Sequence, residues 1–182
     1  IAVPGLKTSA YLGIKLCWGD LNYEVVPFDE IIPRILDGTY KSGLIIHEGQ
    51  LTYVDHNLDV LVDLGVWWNE KTGGLPMPLG GNVVRRDLGK QIMEDVTMYT
   101  KMSIEHSIAN PDVALQFAKK WGRGIDDDTN REFVTMYVNE RTIDYKTEGR
   151  ESIRMFLREG QDIGLIDSDF DISSVQFIDI HC

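Results

Sequence analysis

The sequence predicts an α/β fold, because short apolar strands alternate with helices before residue 48. Residues 1–5 and 43–47 have the composition of buried strands, and residues 22–27 form a shorter strand. Between them, residues 11–18 and 31–36 carry apolar side chains at helical spacing. This order is typical of parallel βαβ units, in which helices cover both faces of a sheet.

Capping residues mark the ends of the first two helices. Thr8 or Ser9 is expected to cap the first helix, which stops at Gly19. Asp29 is expected to cap the second helix, which closes at Gly38. These assignments leave a turn rich in hydroxyl groups between the first strand and the first helix.

Further along, the pattern becomes mostly helical. We predict a weak strand or turn over 58–65, a Gly/Pro-rich loop over 72–81 and a strand over 82–86. One residue of the Trp67-Trp68 pair is expected to seal the core. The remaining elements are helices over 89–109, 111–121, 128–138 and after 147, and a closing strand near 173–180.

The charge and the apolar runs exclude several classes of protein. The 182 residues include 18 Lys+Arg and 29 Asp+Glu, for a formal net charge of -11. A nucleic-acid binder needs a basic stripe, which this chain lacks, so no nucleic-acid partner is expected. No apolar run approaches the roughly 18 residues needed to cross a bilayer, so no membrane span is expected.

Two features bear on the cellular compartment and on the start of the chain. Cys17 and Cys182 are too few for a disulfide framework or a zinc cage, so a reducing, cytoplasmic location is expected. The chain begins at Ile1 with neither an initiator Met nor a signal peptide. We therefore expect a fragment or a processed chain.

The turn between the first strand and the first helix is a candidate anion site. Residues 4–10 place a cation and two hydroxyls at a helix N-terminus, where free N–H groups and the helix dipole favour negative charge. The turn lacks the glycines of a phosphate-binding loop, so a carboxylate suits it better than a triphosphate. The alternative is that Thr8 serves only as a helix cap.

A second candidate group follows the third predicted strand. His47 and Glu48 end a buried apolar segment, and ligands of open α/β sheets bind beyond the carboxyl ends of the strands. Histidine suits a general base, and Glu48 could orient it. A purely structural His47 is the alternative. No two histidines have metal-ligand spacing, and the run Asp126-Asp127-Asp128 lacks the pattern of a calcium loop, so no metal site is expected.

Six blocks in a fixed order carry a family resemblance that extends to about Phe156. They are residues 3–5 with 8–11, 26–31, 43–49, 63–68, 75–81 and 85–89, to which 137–139 and 148–150 add. Together they resemble 1,4-dihydroxy-6-naphthoate synthase of the futalosine route to menaquinone. The resemblance covers most of the chain, so it is more specific than any single motif.

The resemblance implies a fold like that of type II periplasmic binding proteins, with two lobes around a cleft. Roughly the first third of the family's chain has no counterpart before Ile1, so one lobe is expected to be incomplete. Residues 1–87 would form an α/β lobe with a parallel or mixed sheet. Residues 88–182 would form a mostly helical segment of the second lobe. The uncovered apolar surface is expected to cause self-association or to bind the missing N-terminal segment.

The resemblance also implies a reaction and its residues. His47 would be the base that starts the conversion of cyclic dehypoxanthine futalosine, a carboxylate, to 1,4-dihydroxy-6-naphthoate. Thr8, Ser9 and Ala10 would bind the substrate, with Ser9 standing where threonine is commoner in the family. Three further residues are expected to support the site: Glu48, Gly80 and Gly81. The chemistry needs a base and water exclusion, so neither a cofactor nor a metal is implied.

Two other functions stay open at this point. The same fold serves small-carboxylate (solute) binding proteins without catalysis, and fold alone does not decide function. The related chorismate dehydratase of the same pathway would also bind a carboxylate. A near-neutral base at His47 favours an enzyme over a receptor. The Ile46-His47-Glu48-Gly49 and double-Trp blocks favour the naphthoate synthase.

Overall fold

The computed structural model describes residues 1–119 and 126–179 of the chain. Two compact units divide it. The first comprises Ile1–Gly80 and Glu148–Ile172, and the second comprises Gly81–Thr147 and Ser173–Cys182. Residues 148–172 thus belong with the beginning of the chain, whereas the sequence analysis assigned everything after residue 87 to the second part.

A small parallel sheet organises the first unit. Strand β1 (Ala2–Val3) pairs in parallel with β2 (Glu24–Val25), so that Ala2 lies opposite Glu24 and Val3 opposite Val25. The expected third strand over 43–47 is reduced to one parallel bridge between Ala2 and Gly43. Because β1 is only two residues long, it offers no further backbone groups with which a longer third strand could pair.

Helices pack on both faces of strand β1, as predicted, whereas both residues of β2 are exposed. Successive strand residues point to opposite faces. Val3 packs with Tyr11 and Ile14 of helix α1 (Ser9–Trp18), whereas Ala2 packs with Ile31 of helix α2 (Ile31–Leu36). The described part of the chain is therefore helix-rich, and strand β1 of its small parallel sheet is buried between helices.

The ends of the first two helices follow the capping rules unequally. The side chain of Thr8 caps α1, and Gly19 ends it with a backbone φ of 74°, which favours glycine. The prediction that Asp29 caps α2 is wrong. Residues Phe28–Glu30 form a 3₁₀ turn, and Glu30 precedes α2 without a side-chain cap bond.

Two helices of the first unit meet around a buried tryptophan. No strand forms over 58–65; helix α4 (Leu64–Thr72) follows the short helix α3 (Gly49–Thr52) instead. Trp68 of α4 is fully buried and lies edge-on to the ring of Phe156 at 5.1 Å. Phe156 belongs to α9 (Lys146–Asp162), which returns to the first unit. One Trp therefore seals the core, as expected.

The regular elements described in the second unit are all helical. The helices are α5 (Lys90–Ala109), α6 (Pro111–Ala118), α7 (Asp127–Tyr137), α8 (Glu140–Ile143) and the first two residues of α9. Helix α5 matches its prediction. Asp126 caps α7, which begins one residue before the predicted start at 128. The predicted end of α6 at residue 121 lies outside the described residues.

Two predicted strands of the second part are wrong. Residues 82–86 run without regular structure into a 3₁₀ turn. Val83 is 96% exposed, so the apolar pair Val83-Val84 is not part of a sheet. Residues 173–179 form no strand either; Ile172–Ser174 is a 3₁₀ turn, and the ring of Phe177 packs on Tyr145 at 5.7 Å. The alternating apolar pattern therefore reflects packing of Phe177 on an aromatic ring, and not pairing with a neighbouring strand.

Candidate active site

The hydroxyl of Thr8 forms two hydrogen bonds with nearby backbone groups. Its Oγ1 donates to the carbonyl of Gly5 at 3.0 Å and accepts from the N–H of Tyr11 at 3.0 Å. A hydroxyl has one proton to donate, so Thr8 has none left for a ligand while these bonds hold. The structure therefore shows Thr8 as the cap of α1, and its role in substrate binding stays a prediction.

Ser9 and Ala10 are placed differently in the same turn. Both are half-buried in the first turn of α1, where backbone N–H groups lack intrahelical acceptors. Among the described residues, none forms a hydrogen bond with the Ser9 hydroxyl or accepts one from these two N–H groups. Three donors are therefore available at the positive end of the helix dipole.

The turn at Thr8 and the segment ending at His47 both follow the carboxyl ends of their strand segments, on the same side of the sheet. Ala2 pairs with Gly43 in parallel, and the N–H of Leu44 donates to the carbonyl of Ala2 at 2.9 Å. Parallel neighbours have their carboxyl ends on one side, where ligands of open α/β sheets bind. The fold thus gives the two candidate groups a common edge.

His47 is largely buried, with a side chain 15% exposed. Its Nδ1 accepts the N–H of Gly49 at 3.0 Å, and the ring of Phe28 lies tilted against it at 5.6 Å. Its Nε2 is shielded from solvent and has no hydrogen-bond partner among the described residues. Buried polar atoms are usually paired, so this nitrogen is a place for a ligand group.

Glu48 lies next to the same ring. Its Oε2 is 4.0 Å from Nδ1 of His47, and its side chain is 19% exposed. No described residue donates a hydrogen bond to its carboxylate. Glu48 is therefore close enough to influence the imidazole but too far away to bond it.

The two glycines expected to support the site lie at the boundary of the two units. Gly80 ends the first segment of the first unit, and Gly81 begins the second unit. A Cβ on Gly80 would meet no atom within 4 Å, whereas one on Gly81 would lie 3.2 Å from the hydroxyl of Tyr145. Packing explains glycine at 81 better than at 80, and the supporting role of both stays a prediction.

Sequence reasoning missed two contacts that shape the surroundings of His47. A Cβ on Gly49 would lie 2.6 Å from Cε1 of His47 and 2.6 Å from Cδ1 of Ile32, so any larger residue would displace one or both of these side chains. The ring of Phe28 supplies the other contact. The Glu48-Gly49 dipeptide after the histidine was the available signal for the first; the second needed the folded chain.

The described residues offer neither a membrane-spanning helix nor a metal site. Over residues 1–119 and 126–179, no helix combines the length and hydropathy needed to span a membrane. Within the same ranges, no three side chains of His, Cys, Asp or Glu come together as a metal site would require.

A helix-covered parallel sheet with polar turns at its carboxyl edge is typical of α/β proteins that bind small molecules. Residues 1–162 match the model of a family described as menaquinone biosynthesis, and the chain belongs to that family.

Two curated relatives are each named 1,4-dihydroxy-6-naphthoate synthase. The one from Thermus thermophilus is 34% identical over 165 residues, which cover 91% of this chain and 60% of the relative. The one from Streptomyces coelicolor is 32% identical over 172 residues, covering 91% and 61%. The chain thus spans about three fifths of the length of these relatives.

A solved structure is also similar. A crystal structure of a protein from Archaeoglobus fulgidus superposes with a TM-score of 0.87 at 39% identity, covering 91% of this chain and 62% of that one. Similarity at this level extends the match from sequence to three-dimensional arrangement.

Proposed function

We propose that this chain forms part of a 1,4-dihydroxy-6-naphthoate synthase, a carbon–carbon lyase that converts cyclic dehypoxanthine futalosine to the naphthoate in menaquinone biosynthesis. The observation that carries the proposal is that both curated relatives bear this name at 34% and 32% identity. A cytoplasmic location suits such a biosynthetic enzyme. The complete protein would adopt the two-lobed fold of type II periplasmic binding proteins.

In this proposal His47 moves the proton that starts the reaction. Removal of an acidic C–H lets the substrate ring open and become aromatic. His47 suits this task because it is largely buried beside the carboxyl edge of the sheet and its Nε2 lacks a partner among the described residues. Its burial also keeps bulk water from competing for the proton.

The substrate carboxylate would bind at the start of α1. The hydroxyl and N–H of Ser9 and the N–H of Ala10 are donors without acceptors in the described residues, and the helix dipole favours an anion there. Thr8 would contribute by fixing this turn through its bonds to Gly5 and Tyr11. No cofactor enters the scheme.

The direct test uses this chain joined to the part of the family's length that it lacks. Such a protein is expected to convert cyclic dehypoxanthine futalosine to the naphthoate, whereas the 182-residue chain alone is expected to be nearly inactive. His47→Asn should lower turnover by roughly 10²-fold to 10⁴-fold, because a general base contributes about that much. His56→Asn, which changes an exposed histidine of the same unit, is the matched control.

The outcomes separate the alternatives. Binding of the substrate without conversion would favour the small-carboxylate binding protein. Dehydration of chorismate in place of naphthoate formation would favour the related dehydratase. A His47→Asn protein with the wild-type rate would make His47 structural.

A further inference from the structure

The hydrogen bond between Gly49 and His47 determines where the imidazole carries its proton. The N–H of Gly49 donates to Nδ1 at 3.0 Å, so Nδ1 must offer a lone pair. A neutral imidazole has one N–H, and that proton then lies on Nε2. In this arrangement Nε2 donates a hydrogen bond and cannot take a proton from a substrate.

The carboxylate of Glu48 offers Nδ1 a different partner. Its Oε2 lies 4.0 Å from Nδ1, about 1 Å beyond hydrogen-bond length. If the proton were on Nδ1, the ring would donate to Glu48, and Nε2 would hold the free lone pair that a base requires. The carboxylate has no hydrogen-bond donor among the described residues, so it is free to accept this one.

The two contacts exclude each other. A backbone N–H and a carboxylate cannot both bond Nδ1, because the first needs a lone pair and the second needs a proton at the same atom. We propose that Gly49 and Glu48 compete for Nδ1 of His47, and that the residue bonded to Nδ1 determines whether Nε2 donates or accepts a proton. The change takes one proton from solvent, relayed to Nδ1 by the partly exposed Glu48 carboxylate, and releases the Nε2 proton to a ligand group or water that enters the site. The ring carries one proton in both states, so no net charge is moved.

This inference rests on the proposed function only in giving His47 a role in proton transfer. Glu48 becomes a positioning residue, which acts through the imidazole, and Gly49 becomes the group that holds the resting tautomer. The conversion requires the ring to leave the Gly49 N–H and the carboxylate to approach by about 1 Å, the gap noted above.

The buried position of Nε2 makes its protonation state matter. Nε2 is out of contact with solvent, and no described residue bonds it. Bulk water therefore does not serve as a hydrogen-bond partner of Nε2. A ligand group that reaches this nitrogen meets either an N–H donor or a lone pair that accepts. The ring is held from the side by Phe28, which limits the directions in which it can move.

Gly49 fits this role through its missing side chain as well as its N–H. A Cβ there would lie 2.6 Å from Cε1 and 3.1 Å from Nδ1 of His47. Any larger residue would push the imidazole away from the N–H that it accepts. A matched position exists in α4, where the N–H of Gly65 donates to Oδ1 of Asp63 at 2.8 Å, also two residues earlier.

The test reads the tautomer directly on this chain, without substrate, by long-range ¹H–¹⁵N correlation with ¹⁵N-labelled histidine. The His47 signals are assigned from their loss in His47→Gln. In the wild-type chain at a pH where the ring is neutral, we expect a protonated Nε2 and a bare Nδ1. A protonated Nδ1 in the wild-type chain would overturn the proposal.

Gly49→Ala should raise the population with a protonated Nδ1, and Gly65→Ala should leave it unchanged. An unaltered tautomer in a folded Gly49→Ala chain would refute the competition.

Should that variant fail to fold, hydrogen exchange of the Gly49 amide in Glu48→Ala decides instead. Removing the competitor should slow this exchange by at least about twofold, since the bonded population rises. Equal or faster exchange would contradict the proposal. Because none of these measurements needs naphthoate formation, their failure is distinguishable from failure of the proposed function.

Discussion

Ser9 and Thr8 are adjacent residues, but of the two hydroxyls only that of Thr8 forms hydrogen bonds within the described residues. Ser9→Ala removes a donor that has no partner in the described residues and should weaken binding of the substrate carboxylate by about 1.5–3 kcal/mol. Thr8→Ala removes the cap of α1 and should instead lower the free energy of unfolding by about 0.5–2 kcal/mol. Calorimetry of the full-length protein and urea denaturation measure the two effects.

Thr8→Ser is the matched control, because it keeps both hydrogen bonds of the hydroxyl. It should restore stability. Unchanged affinity in Ser9→Ala would leave the α1 turn with no role beyond folding.

Tyr11 makes the stability depend on pH at the alkaline end. Burial, together with its hydrogen bond to Tyr23, raises the pKa of Tyr11 to about 12 from 10.0. The folded state therefore holds the phenolic proton to higher pH than the unfolded state does. The free energy of unfolding should fall from pH 10 to about 12, by at most about 1.4 kcal/mol per pH unit from this group.

Urea denaturation of wild type and Tyr11→Phe across that range isolates this contribution, because other lysines and tyrosines titrate in both proteins. The stability difference between them should change with pH above 10 and stay constant below it. A difference that is constant throughout would show that Tyr11 ionises normally.

Among the elements, helices α4 and α9 are joined by a buried chain of hydrogen bonds. Trp68 donates to Oγ of Ser152 at 2.8 Å, and Ser152 donates to the carbonyl of Pro76 at 2.6 Å. Ser152→Ala leaves a buried indole N–H without an acceptor and a carbonyl without its donor, so it should lower the free energy of unfolding by about 1–3 kcal/mol. Ser103→Ala, at an exposed position of α5, should stay within about 0.5 kcal/mol of wild type. Equal midpoints in urea for the two variants would contradict this assignment.

Local rules predicted α1, α2, α5 and α9 well but missed α4, and they predicted the strands poorly. Thr8, Gly19 and the period of α5 are signals that a helix carries within its own residues. A strand depends on a partner elsewhere in the chain. Residues 82–86 had the composition of a strand without such a partner, and residues 43–47 had only the two residues of β1 to pair with.

The candidate site shows the same division. The positions of Thr8, Ser9 and His47 could be predicted because they follow strand ends. The assignment of the Thr8 proton to Gly5, and of the Gly49 N–H to His47, could not, because hydrogen bonds depend on angles and distances that spacing does not specify. The same limit applies to the return of residues 148–172 to the first unit, which no local pattern indicates.

At the scale of the whole molecule, exposed apolar residues predict association. Helix α5 has four on one face: Ile92, Val96, Tyr99 and Met102. Tyr99, at 65% exposure, lies near the middle of this stripe. Contiguous apolar surface favours contact with other chains, so the isolated chain should self-associate, and Tyr99→Glu should weaken that association.

Sedimentation velocity at matched concentrations measures the effect. Gln116→Glu introduces the same charge at an exposed position of α6 and should leave association unchanged. A monomeric wild-type chain, or an equal response to both substitutions, would show that the stripe drives no association.

The contact between Trp68 and Ser152 also has a consequence for biosynthesis. The two residues are 84 positions apart, and a ribosome adds about 5–20 residues per second, so about 4–17 s pass between their synthesis. During that interval the indole has been made but its partners in α9 have not. The speed of translation between these two codons therefore sets how long each nascent chain exposes the centre of its first unit to chaperones and proteases.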